Sequence, residues 1–194
     1  MKRKTFSIIL GVMIILAIIT TSSLYLLGKQ VATPESVAHV KSPQPTTTLV
    51  ELSPSSDLSN SNTVFRNSKG DKIALRNIRN KVIFINMWAT WCPPCRKEMP
   101  SLNRLYSKLK DNPDIIFIMM DVDGKLKEST DYVKKKGFDL PNYILEGNLP
   151  ESFQTNSIPT TIIIDKSGKM VTKHMGGVDF DHPEMLPFIQ NLLK

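Results

Sequence analysis

Lys81-Val82-Ile83-Phe84-Ile85-Asn86-Met87-Trp88 runs directly into Ala89-Thr90-Trp91-Cys92-Pro93-Pro94-Cys95-Arg96-Lys97-Glu98-Met99-Pro100, and the fold is decided at that junction. The first eight residues are a nearly continuous β-branched and aromatic run, the pattern of a strand buried on both faces rather than one with a wet side. Then the period changes. Met99, Leu102, Leu105, Tyr106 and Leu109 recur at steps of three and four with Lys and Arg between them, which predicts a helix over 93–109, stopped by Asp111-Asn112-Pro113. A buried strand feeding a helix implies a central sheet with parallel strands.

Outward from this unit, 115–120 reads as a second buried strand, 125–136 as a helix closed by Gly137, and 142–145 as a short extended piece. Residues 160–165 and 169–173 are two strands joined by Lys166-Ser167-Gly168, a hairpin, and 183–192 is a closing helix. On the other side, Val64-Phe65 and Ile73-Ala74-Leu75 flank a turn over 67–71 in which Gly70 supplies the turn conformation. The expected architecture is α/β: a central mixed β-sheet flanked by helices, with an N-terminal β-hairpin extension. There is no internal repeat at solenoid periods.

The chain has 194 residues, 41% hydrophobic and 22% charged, which suits a full core and excludes wholesale disorder or a staple-dependent miniprotein. The net charge of +7 falls to +4 once Lys2, Arg3 and Lys4 are set aside. The remaining basic residues are scattered, and the run Lys134-Lys135-Lys136 reads as a solvated helix face, so no nucleic-acid partner is expected.

Those three N-terminal charges precede an uncharged run whose apolar part, 6–27, would span about 33 Å as a helix, long enough to cross a bilayer. The positive-inside tendency gives residues 1–4 as a cytoplasmic tip, 5–27 as a transmembrane signal-anchor, 28–56 as a Pro/Ser/Thr-rich linker and 57–194 as one globular domain outside the cytoplasm. A cleaved signal peptide is the competing reading and makes the domain secreted or periplasmic. No cysteine lies near the segment, so a lipoprotein anchor is not expected.

Cys92 and Cys95 are the chain's two cysteines, and they sit where the helix starts. Unpaired amide N–H groups and the positive end of the macrodipole favour a thiolate there. Cys92, at the tip, gains most and reads as the nucleophile; Cys95, one turn in, reads as the resolving thiol. A purely structural disulfide would close too small a ring to stabilise much. Zinc would want four ligands at short spacings, and His174 and His182 are remote. Copper held by Cys92, Cys95 and His174 remains a second reading of the same thiols.

Trp88 through Pro100 closely resembles the active-site segment of the TlpA/ResA-like membrane-anchored thiol-disulfide oxidoreductases of the thioredoxin superfamily. Ile158-Pro159-Thr160-Thr161 resembles that family's cis-proline loop. The resemblance implies a thioredoxin-like fold, a loop at Ile158 and Pro159 that faces the cysteines and pairs with an extended substrate, and an active-site acid/base at Glu98. Trp91, Pro93 and Pro94 join Ile158 and Pro159 as expected substrate contacts. Copper-handling relatives place three residues between their cysteines, against two here.

Two departures from ordinary thioredoxin stand out. Asn86 occupies the place of a buried carboxylate and cannot act as a base. Pro93 and Pro94 lack N–H groups, so two amides that could stabilise a Cys92 thiolate are missing, which argues for a low potential and a reductase over an oxidase or isomerase. The resemblance further implies no bound cofactor beyond the redox-active disulfide, a CcdA/DsbD-like membrane electron donor, and disulfide-containing protein substrates such as apocytochrome c.

Overall fold

The computed structural model describes residue 58 and residues 61–194; the segments expected at 1–4, 5–27 and 28–56 lie outside the described residues. The apolar run at the centre of the sequence forms β3 (Val82–Trp88), with every residue buried. It pairs in parallel with β4 (Ile115–Asp121), which pairs in parallel with β5 (Asn142–Glu146). On its other side β3 meets β6 (Thr160–Ile164) antiparallel, and β6 turns back through Gly168 into β7 (Met170–Met175). The sheet is therefore mixed. A bulge falls between Ile163 and Ile164, whose partners on β7 are Thr172 and Met170.

The N-terminal hairpin is present as β1 (Val64–Asn67) and β2 (Lys72–Ala74), with Gly70 at φ +89° in the turn. It is also part of the main sheet: β1 pairs antiparallel with β5, giving seven strands in the order β2-β1-β5-β4-β3-β6-β7. Glu146 on β5 holds this join with ion pairs to Arg66 and Lys72.

Among the described residues, three α-helices flank the sheet: α1 (Pro93–Leu109), α2 (Leu126–Lys135) and α3 (Met185–Leu192). The sequence places the start of α3 at 183, two residues early. His182 N–H instead donates to Asp179 O, and Met185 N–H to His182 O, so 179–184 is spent on turns. Side chains alternate along a strand, so β3 feeds two cores. Val82, Phe84 and Trp88 face a cluster with Met99, Leu102, Leu105 and Leu109 of α1, Val133 of α2 and Ile189 of α3. Ile83, Ile85 and Met87 face a second cluster closed by Leu58, Leu75 and Phe153. Cys92 and Cys95 belong to the first cluster, so the reactive end of α1 is built into the core that holds the helix to the sheet.

Candidate active site

β3 ends at Trp88, the chain turns through Ala89 to Trp91, and Cys92 is the N-cap of α1. Pro93 and Pro94 fill the first helical turn, where a missing N–H costs the helix nothing and a fixed φ suits it. Cys92 and Cys95 are joined as a disulfide. With both prolines lacking a donor, the Cys95 N–H is the amide that reaches the Cys92 sulfur, at 3.2 Å. Cys92 is 2% exposed, so its sulfur sits at the tip of the helix but beneath its neighbours. Across from it the Ile158–Pro159 peptide bond is cis. The Ile158 carbonyl oxygen lies 3.9 Å from Cys92 Sγ, where it can accept the thiol proton of a reduced Cys92. Ile158 packs against both core clusters.

Glu98 is buried. It is 4% exposed, which rules out a solvated helix glutamate held among Arg96 and Lys97, both of which are exposed. Its Oε1 accepts from Asn86 Nδ2 at 2.8 Å, and its Oε2 accepts from the Val178 backbone N–H at 3.0 Å. Burial in the core pushes the carboxyl from an ordinary 4.5 up to about 7, against the lowering effect of the Val178 and Asn86 hydrogen bonds. Spaced three residues along α1, Cys95 and Glu98 share one helix face. A carboxyl that is half ionised near neutrality on that face can take a proton from a thiol and give it back.

Gly176 N–H donates to Pro159 O at 2.8 Å, Phe180 N–H to Ser101 Oγ at 3.2 Å, and Arg104 pairs with Asp181. These bonds clip 176–181 between the cis-proline loop and α1, and so fix where the Val178 amide points.

A model of the thioredoxin-like family matches residues 80–170, from two residues before the central strand to the first residue of β7. The fold is thioredoxin-like. Among curated proteins, the thiol-disulfide oxidoreductase ResA of Bacillus cereus is 36% identical over 116 residues, which are 59% of this chain and 66% of that protein. The chain thus spans just under two thirds of the length of the ResA relatives it matches. A solved chain from Bacteroides vulgatus superposes with a TM-score of 0.58 at 27% identity, over 74% of this chain and 99% of that one. A secreted thiol-disulfide isomerase from Corynebacterium glutamicum does so with a TM-score of 0.52 at 26% identity, over 66% and 82%.

The structure places Cys92, Pro93, Pro94 and Cys95 at the start of α1, with Ile158 and Pro159 on the loop whose Ile158 carbonyl lies against Cys92. Trp91 is 60% exposed, and its indole Nε1–H donates to Asp123 Oδ2 at 2.7 Å, so it stands beside the nucleophile with a fixed orientation. Trp88 is fully buried core, donating to Asn142 Oδ1 at 3.2 Å. His174 lies on β7, exposed, opposite Thr161. Among the described residues, no three His, Cys, Asp or Glu side chains gather as a metal site. Sequence reasoning missed Val178 and Asp123. Val178 acts through a backbone N–H that any residue could supply, and Asp123 follows β4 in an acidic loop, Asp121-Val122-Asp123, whose only signal was its place at a strand end.

Proposed function

We propose that the chain is an extracytoplasmic thiol-disulfide oxidoreductase that works as a disulfide reductase on protein substrates. The observation that carries this reading is the Cys92–Cys95 disulfide at the start of α1, facing the Ile158 carbonyl, with Glu98 buried one turn on. The Cys92 thiolate attacks a substrate disulfide, one substrate sulfur leaves as a thiolate, and a mixed disulfide links the chains. The Cys95 thiol loses its proton to Glu98 and attacks Cys92 Sγ. The second substrate sulfur leaves as a thiolate, and the Cys92–Cys95 bond closes. Two electrons pass to the substrate, and its two thiolates take up two protons, one returned by Glu98 and one from solvent.

The helix start supports this direction. A Cys92 thiolate has one amide donor where three could stand, so the reduced form is weakly stabilised and the pair gives up its electrons readily. The disulfide itself is then the only redox group required, and a membrane-bound donor of the CcdA/DsbD kind would restore the dithiol. Apocytochrome c, whose haem-binding cysteines must be thiols, fits as a substrate. A single-pass anchor over 5–27, with 28–56 as tether, would hold the domain near both.

The test is the reduction potential of the full-length protein in thiol redox buffers, read by fluorescence of Trp88 and Trp91. A value below about −220 mV, near thioredoxin, is expected; one above about −150 mV, near DsbA, makes the protein a disulfide donor and overturns the reductase reading.

A further inference from the structure

Asn86 is a polar side chain in the middle of a strand that is otherwise apolar, 1% exposed, and only one end of its amide is satisfied. Both Nδ2 hydrogens are used, one on Glu98 Oε1 at 2.8 Å and one on Thr161 Oγ1 at 3.1 Å. Its Oδ1 is buried with no hydrogen-bond partner among the described residues. A buried acceptor left unpaired costs on the order of 1–3 kcal/mol, so its retention calls for a reason.

We propose that Asn86 is a positioning residue for proton transfer at Glu98, its amide donating Nδ2–H to the carboxylate and, after a half-turn about its last side-chain bond, offering Oδ1 to the carboxylic acid. The proposal rests on the reading of Glu98 as the proton carrier. A planar amide exchanges its oxygen and nitrogen by that half-turn with almost no change of shape, so the surrounding core need not move. In the turned state Oδ1 has two lone pairs for two donors, the new Glu98 O–H and the Thr161 hydroxyl, which is free to rotate. Either state leaves one end of the amide unpaired. The turned state leaves the two amide N–H groups unpaired where the other leaves a single oxygen, so the hydrogen bond from a protonated Glu98 has to offset that difference.

Neither a carboxylate nor an apolar residue at position 86 does this. Aspartate could not donate to an ionised Glu98 and would compete with it for one proton. Leucine would leave the carboxylate with the Val178 amide alone. Among the described residues, no charge competes for control of the site. β3 and β6 present Asn86 and Thr161, α1 presents Cys95 while Arg96 and Lys97 point to solvent, Asp179 is exposed, and Asp181 is engaged by Arg104. The raised affinity of Glu98 for its proton comes from burial, and the hydrogen bonds from Val178 and Asn86 work against it.

The experiment is an NMR titration of the oxidised full-length protein from about pH 5 to about pH 9, following the Glu98 carboxyl carbon and the Asn86 side-chain NH2 together. The two should move in a single step with a common midpoint, and the Asn86 step should vanish in Glu98→Gln while its resonances stay dispersed. Asn86→Leu should raise the Glu98 midpoint by about one unit, a roughly tenfold gain in proton affinity. Asn86 resonances that stay flat while Glu98 titrates overturn the proposal, as does an unmoved midpoint in a folded Asn86→Leu protein. If that variant does not fold, the comparison of wild type with Glu98→Gln decides alone. The rate of thiol exchange is a separate readout: a Glu98→Gln rate equal to wild type across the same range would sink Glu98 as proton carrier without touching the coupled titration.

Discussion

Glu98 stores a proton at the expense of the fold. Unfolded, it ionises near its ordinary 4.5; folded, near 7. Between those values the native chain holds a proton that the unfolded chain has released, so native stability falls as pH rises through the window. The loss approaches about 3 kcal/mol above it and vanishes below the lower value. Glu98→Gln removes this dependence. Urea unfolding of the oxidised proteins should show wild type losing stability relative to the variant from weakly acidic to weakly alkaline pH, and equal slopes for the two would show that the carboxyl is not held as described. At this scale the sequence is informative where identity carries the chemistry. The spacing of Glu98 from Cys95 marks it, and the interruption of an apolar strand marks Asn86. The amide of Val178, 80 residues away, bears no such mark, because a backbone donor is independent of residue type.

Among the elements, the strands and helices follow from periodicity, since the burial that shapes them is local to each one. What periodicity does not specify is the neighbour of each strand. The hairpin β1–β2 is visible as two short runs around Gly70, but its docking on β5 is a backbone ladder with Phe65 buried and Glu146 meeting Arg66 and Lys72, a match made in three dimensions. Close to that join, Gly147 follows β5 at φ +86°, and a Cβ there would lie 2.5 Å from the backbone oxygen of Asn62. Gly147→Ala therefore combines left-handed strain with a backbone clash. It should cost more than about 1 kcal/mol, whereas Gly70→Ala, at φ +89° with open space around it, meets the strain alone. Thermal melts of the two variants should rank them in that order; a smaller drop for Gly147→Ala would mean that residues 61–63 are not seated against β5.

For the molecule as a whole, the site and the core are the same object. Phe84 is fully buried and packs on Phe117 at 4.8 Å between ring centroids and on Phe180 at 5.7 Å, in the cluster that also contains both cysteines. Phe84→Ala should cost about 3–5 kcal/mol in chemical denaturation, and the loss should reach α1 and 176–181 together, since Phe180 belongs to the segment that supplies the Val178 amide. A second consequence concerns partners. With Cys95→Ser the mixed disulfide on Cys92 cannot be resolved, so a substrate chain should remain covalently bound on a non-reducing gel, and Cys92→Ser should capture none. Capture by Cys92→Ser and not by Cys95→Ser would exchange the assigned roles.

The disulfide joins residues three apart within one turn of helix. A ring that small can close in any short peptide that visits a helical turn, well before the sheet exists, and opening it frees almost none of the chain. Finding the disulfide closed in a preparation of this protein is therefore not by itself proof that the molecules have folded. For proteins with long disulfide loops a closed bond reports on the fold; here it reports only that two neighbouring sulfurs have been oxidised.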